Sequence, residues 1–101
     1  MDYKIYLKNI KMTIEKRQEI ESMIEDISGF STKFFKIEVY LKKENDTYLM
    51  KLKLINDVDD LVSPEFKGEE FSEVVEKTKE LVINQILLGL TEISEHETLA
   101  S

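Results

Sequence analysis

The chain is 101 residues long, 42% hydrophobic and 9% aromatic, enough for one modest core and too apolar for disorder throughout. Its 14 Lys+Arg against 21 Asp+Glu give a formal net charge of −7, which argues against indiscriminate nucleic-acid binding, because phosphate affinity is built from excess lysine and arginine. There is no cysteine, hence no disulfide framework or thiolate metal site. No apolar run approaches the ~20 residues of a bilayer span, so a cytoplasmic, membrane-free protein is expected.

Residues 3–10, YKIYLKNI, alternate as a half-buried strand does, with Tyr3, Ile5 and Leu7 inward and Lys4, Tyr6 and Lys8 outward. Thr13 then stands as a helix N-cap, with Glu15 in the first turn where a negative charge meets the helix dipole. Ile20, Met23, Ile24 and Ile27 recur at helical spacing, and Gly29 suits a left-handed position just past the helix end. FFKIEVYLKK (34–43) alternates again, predicting Phe35, Ile37, Val39 and Leu41 inward, and Lys36, Glu38, Tyr40 and Lys42 outward. ENDT (44–47) reads as a tight turn into YLMKLKLI (48–55), which presents Tyr48, Met50, Leu52 and Leu54 inward.

NDVDD (56–60) is a second turn. It lacks the spaced ligands, the central glycine and the final glutamate of a calcium loop. LVSPEF (61–66) reads as a weaker strand at the sheet edge, since Pro64 cannot donate to a ladder. From Glu69 the period is helical again, with Phe71, Val74, Val75, Thr78, Val82, Gln85 and Ile86 on one stripe. The expected fold is therefore α+β in the order β-α-β-β-β-α. It is a two-layer sandwich, like a double-stranded-RNA-binding domain, of a four-stranded mixed sheet with both helices on one face. The domain is expected over residues 1–90, with 91–101 an acidic, flexible tail.

Catalytic vocabulary is thin. His96, the only histidine, falls in the tail, and no Gly-rich loop, nucleophile elbow or histidine pair is present. No enzyme, cofactor, metal or small-molecule substrate is expected. The outward sheet face is richer: Lys4, Tyr6, Lys8, Lys36, Tyr40, Lys42, Lys51 and Lys53 would interleave lysines for phosphates with rings for bases. A plainer reading is a solvated face whose lysines keep the edge from pairing. Residues 14–28 hold Glu15, Glu19, Glu21, Glu25 and Asp26 against Lys16 and Arg17, and 69–88 are comparably acidic, so the two faces should differ in charge.

Three stretches in order resemble the ribosome hibernation-promoting factor family, also called protein Y, ribosomal subunit interface protein or sigma-54 modulation protein. They are MTIEKRQEIESMIEDISGF, IEVYLKKEN and LVSPEFKGEEFSEVVEKTKELVINQI. The resemblance spans Tyr3 to about Leu88 and matches the short form, without the extra C-terminal dimerisation domain. It implies a bacterial, non-enzymatic stress-response factor that binds the small ribosomal subunit at the decoding region and silences translation by occlusion. Carried over by position, Arg17, Gln18, Lys67 and Gln85 are the implied rRNA contacts, with Lys4, Lys8, Lys36, Lys51 and Lys53 added from the sheet. Around Gln85 the family usually has a basic run, whereas here Ile83 and Asn84 precede it and Leu87 and Leu88 follow. Ile83, Leu87 and Leu90 make a second apolar ridge. The alternative is thus a protein-interaction or homodimerisation module built on the second helix, with rRNA binding lost.

Overall fold

The computed structural model describes residues 2–30 and 33–89. Leu90, His96 and the expected tail lie outside them. Strand β1 (Asp2–Lys8) leads to helix α1 (Ile14–Ser28), then the hairpin β2 (Lys36–Glu44) and β3 (Thr47–Ile55). Two short strands, β4 (Leu61–Val62) and β5 (Phe66–Gly68), precede helix α2 (Phe71–Leu87). The sheet order is β1-β2-β3-β4, with β5 also on β3; β1 runs parallel to β2 and the other pairs are antiparallel. The α+β class, the mixed sheet and the two helices on one face are as the sequence predicts.

Helix α1 forms where period and cap agree, whereas α2 rests on its period alone, since Glu70 at its N-cap makes no side-chain bond. Thr13 caps α1, its hydroxyl accepting from the Lys16 N–H at 3.1 Å, and Ile20, Met23, Ile24 and Ile27 are all buried. Phe71, Val74, Val75, Thr78, Val82 and Gln85 form the buried stripe of α2. These stripes close over Ile37, Val39, Leu41, Met50, Leu52 and Leu54 in one core. Across the helices Lys79 donates to Asp26 at 3.1 Å, and within α2 it pairs with Glu76 at 3.3 Å. Gly68 lets α2 approach β5, because a Cβ there would meet Val74 Cγ2 at 2.8 Å.

Four expectations change. Gly29 is not left-handed (φ −70°); its N–H closes onto the Glu25 and Asp26 carbonyls, and the chain leaves through an ordinary tightened turn. Among the described residues the left-handed positions are Asn9 (φ 59°), Asn45 (φ 57°) and Gly89 (φ 74°). Asn45 is the first residue of the two-residue loop between Glu44 and Thr47, where its short polar side chain tolerates the conformation. Phe35 is 53% exposed while Phe34 is buried. The chain bends at Lys33 and Phe35 before β2 begins, so the two-residue period shifts there by one. Leu7 keeps its inward register opposite Leu41 yet is 42% exposed, since among the described residues β1 has no neighbour on its far side.

The fourth change is the predicted strand 61–66, which is split. Val62 opposes Lys53, and continuing that register would set Met50 against Glu65; Met50 faces Phe66 instead. One extra residue therefore sits opposite Lys51, which is a β-bulge. Pro64 lies in the bulge, where its missing N–H costs no ladder bond. Ser63 makes the transition: its N–H donates to the Leu52 carbonyl, its hydroxyl accepts from the Leu52 N–H at 2.9 Å, and the same hydroxyl donates to the Pro64 carbonyl at 3.0 Å. Beyond Ile55, the Asn56 side chain accepts from the Val58 and Asp59 N–H groups at 2.7 Å, closing the turn predicted there.

Candidate nucleic-acid interface

Alternation along β1, β2 and β3 sends every second side chain to the face that the helices leave open. The registers then fix rows across the strands. Lys4, Glu38, Lys53 and Val62 form one row, Tyr6, Tyr40 and Lys51 the next, and Lys8, Lys42 and Leu49 a third. The bulge extends this third row to Lys67, which pairs with Leu49, and turns Glu65 toward Lys42 at 3.9 Å. Lys67, expected merely before the last helix, thus joins the sheet lysines. Leu49 is 4% exposed yet stands outside the main core, between Lys42 and Lys67 in the ladder.

The middle row is a column. The rings of Tyr6 and Tyr40 lie parallel, centroids 4.9 Å apart and planes 6° from coplanar. Tyr40 holds one face of the Tyr6 ring, and the Lys4 ammonium lies over Tyr6 at 5.1 Å. Lys51, on the strand opposite β1, lies over Tyr40 at 5.5 Å. Lys4, Tyr6, Tyr40 and Lys51 therefore form four layers held by stacking and cation–π attraction. Tyr40 is fixed further by donating to Glu38 Oε1 at 2.6 Å. That bond to the carboxylate, with help from burial, pushes the Tyr40 phenol up to about 12. The same bond, with Lys36 and Lys53 nearby, holds Glu38 below the usual carboxylate range.

The open face carries Lys4, Lys8, Lys36, Lys42, Lys51, Lys53 and Lys67 against Asp2, Glu38, Glu44 and Glu65, a net positive surface on an acidic protein. Lys36, Lys42 and Lys53 are engaged with Glu38 (3.7 Å), Glu44 (3.5 Å) and Asp60 (3.6 Å). Among the described residues Lys8 and Lys67 enter no ion pair. Tyr6, Lys8, Tyr40, Lys42, Lys51 and Glu65 surround an open depression of about 250 Å³.

Other predicted site residues stand elsewhere. Arg17 and Gln18 are exposed on α1, beside a depression reaching from Met12 to Glu21. Gln85 is 4% exposed, its amide donating to the Val62 carbonyl at 3.4 Å, so its stripe position on α2 outweighs the surface role the resemblance implies. Ile83 is half-buried against the core rather than on a free ridge. Leu87 and Leu88 are exposed, and Leu90 lies outside the described residues. Among the described residues no cluster of His, Cys, Asp or Glu could hold a metal ion, and no helix is long and apolar enough to cross a membrane.

Two solved structures share this architecture. A ribosomal subunit interface protein from Coxiella burnetii matches with a TM-score of 0.78 at 8% identity, covering 88% of this chain and 97% of that one. The N-terminal domain of Protein Y from Thermus thermophilus matches at 0.74 and 9% identity, covering 85% and 96%. The chain thus has the fold of the ribosomal subunit interface proteins. No protein-family model matches the sequence, and no curated protein does.

Proposed function

We propose that this protein is a ribosome-associated, non-enzymatic factor of the hibernation type, acting in the cytoplasm by occupying an rRNA cleft of the small subunit. The observation that carries this reading is the shared fold: a ribosomal subunit interface protein has this architecture over 88% of the chain. Occlusion needs shape and positive charge rather than catalytic groups, and a body of 41 × 27 × 18 Å with one lysine-rich face supplies both. In this reading Lys4, Lys8, Lys36, Lys51, Lys53 and Lys67 carry most of the phosphate contact, with Arg17 and Gln18 adding to it from α1. Glu73, Glu76 and Glu80 keep the exposed side of α2 turned away from rRNA.

Co-sedimentation with purified small subunits at two salt concentrations tests it. Binding at low salt that falls steeply as salt rises supports the proposal, and no binding at low salt removes it. A second reading, self-association through α2, is favoured by Leu87 at 65% and Leu88 at 73% exposure, side by side at the helix end. On a sizing column it requires a wild-type dimer that Leu87→Glu converts to monomer; a wild type that is already monomeric ends it.

A further inference from the structure

We infer that the open sheet face is a platform for single-stranded RNA, on which one unpaired base stacks on the outer face of Tyr6 and takes the place of the Lys4 ammonium. The column would then run base, Tyr6, Tyr40, Lys51, and the released Lys4 would turn to the adjoining phosphate. The geometry is ready for this exchange. Tyr40 and its bond to Glu38 hold Tyr6 from behind, so a base meets a ring already fixed in place, and little further ordering is needed. Tyr6 is 37% exposed on a strand that, among the described residues, has no further strand beyond it to block a ligand.

Charge selects the occupant. Lys8 and Lys67 have no ion pair among the described residues, and both stand in the row next to the column, two residues or ~6.6 Å along the strands. A strand running over the column therefore meets a free ammonium where its backbone passes. A duplex offers phosphates but hides the faces of its bases, so only an unpaired strand uses both features. The choice of RNA over DNA rests on the ribosomal function proposed above; the platform itself does not.

Fluorescently labelled 12-nucleotide single strands of RNA and DNA and an RNA duplex, titrated against the whole protein without ribosomes, provide the test. Single-stranded RNA should bind with quenching of tyrosine emission, which is readable because the chain has no tryptophan. Tyr6→Leu should weaken binding about tenfold, as loss of one base stack does, while Tyr6→Trp should retain it. Thermal melting of both variants verifies the fold. No binding at low salt, equal affinity for wild type and Tyr6→Leu, or equal affinity for the duplex would overturn the platform; equal affinity for DNA would overturn the choice of RNA. Ribosome co-sedimentation that persists without oligonucleotide binding sinks this inference alone, and the converse sinks the ribosomal reading alone.

Discussion

Tyr40 donates its phenolic proton to Glu38, Oη to Oε1 at 2.6 Å, from the same strand and the same face. Two residues along an extended strand are neighbours on one side of the sheet, so the pair is a local consequence of the E-x-Y spacing. Its effect is not local: it holds the Tyr40 ring flat against Tyr6 on the adjacent strand.

That bond needs Tyr40 protonated and is strongest while Glu38 is ionised. Glu38 is depressed, so its contribution to stability is present above the unfolded carboxylate value and is lost as pH falls through the folded one. Tyr40 is raised from 10.0 to about 12, so its contribution is full below pH ~10 and disappears as pH rises toward 12. Spectrophotometric titration should find one tyrosine ionising near 12 that is absent in Tyr40→Phe and returns toward 10 in Glu38→Gln. Unchanged titration in Glu38→Gln would refute the pairing.

The cap at Thr13 makes a second prediction. Thr13→Ala strips the Lys16 N–H of its acceptor and should lower unfolding stability by about 1 kcal/mol in denaturant titration, without changing the fold. Asp26→Asn should cost less, because its bridge to Lys79 is half exposed on the carboxylate side. A larger loss for Asp26→Asn than for Thr13→Ala would reverse this ranking.

Gln85 separates stability from binding. Its Oε1 is buried and meets no hydrogen-bond donor among the described residues, while its amide makes only a long 3.4 Å bond to the Val62 carbonyl. The gain and loss in Gln85→Leu therefore offset, and stability should change by no more than about 1 kcal/mol. Ribosome co-sedimentation should be unaffected by it. A Gln85→Leu protein that folds but no longer binds would restore the surface role that the buried position argues against.

The core and the open face were legible because strict periods make them so. Ile20, Met23, Ile24 and Ile27 could be read from spacing alone, and the outward places of Tyr6, Tyr40 and Lys51 follow from alternation once the ENDT turn sets the hairpin register. Phe35 was misread because a bend before a strand shifts the period, and alternation carries no mark of where a strand begins. The bulge at Pro64 was hidden for a related reason: one inserted residue leaves every local pattern intact and alters only the partner across the ladder. The ridge of Ile83 with Leu87 looked free because the helical stripe gives a direction but not the width of the surface that covers it. Stacking between Tyr6 and Tyr40 depends on a parallel register between strands separated by a helix, which no short stretch of sequence encodes.

The most direct measurement of ribosomal binding through the open face is the salt dependence of small-subunit affinity for two variants. One reverses sheet lysines (Lys8→Glu, Lys51→Glu and Lys53→Glu together), and the other reverses the helix (Arg17→Glu). Since each phosphate contact contributes about 0.7 to 0.9 to the slope of log affinity against log salt, the sheet variant should lose about 2 of slope together with most of its affinity. Arg17→Glu should lose no more than about 1. Full binding and an unchanged slope in the sheet variant, with binding abolished by Arg17→Glu, would contradict it.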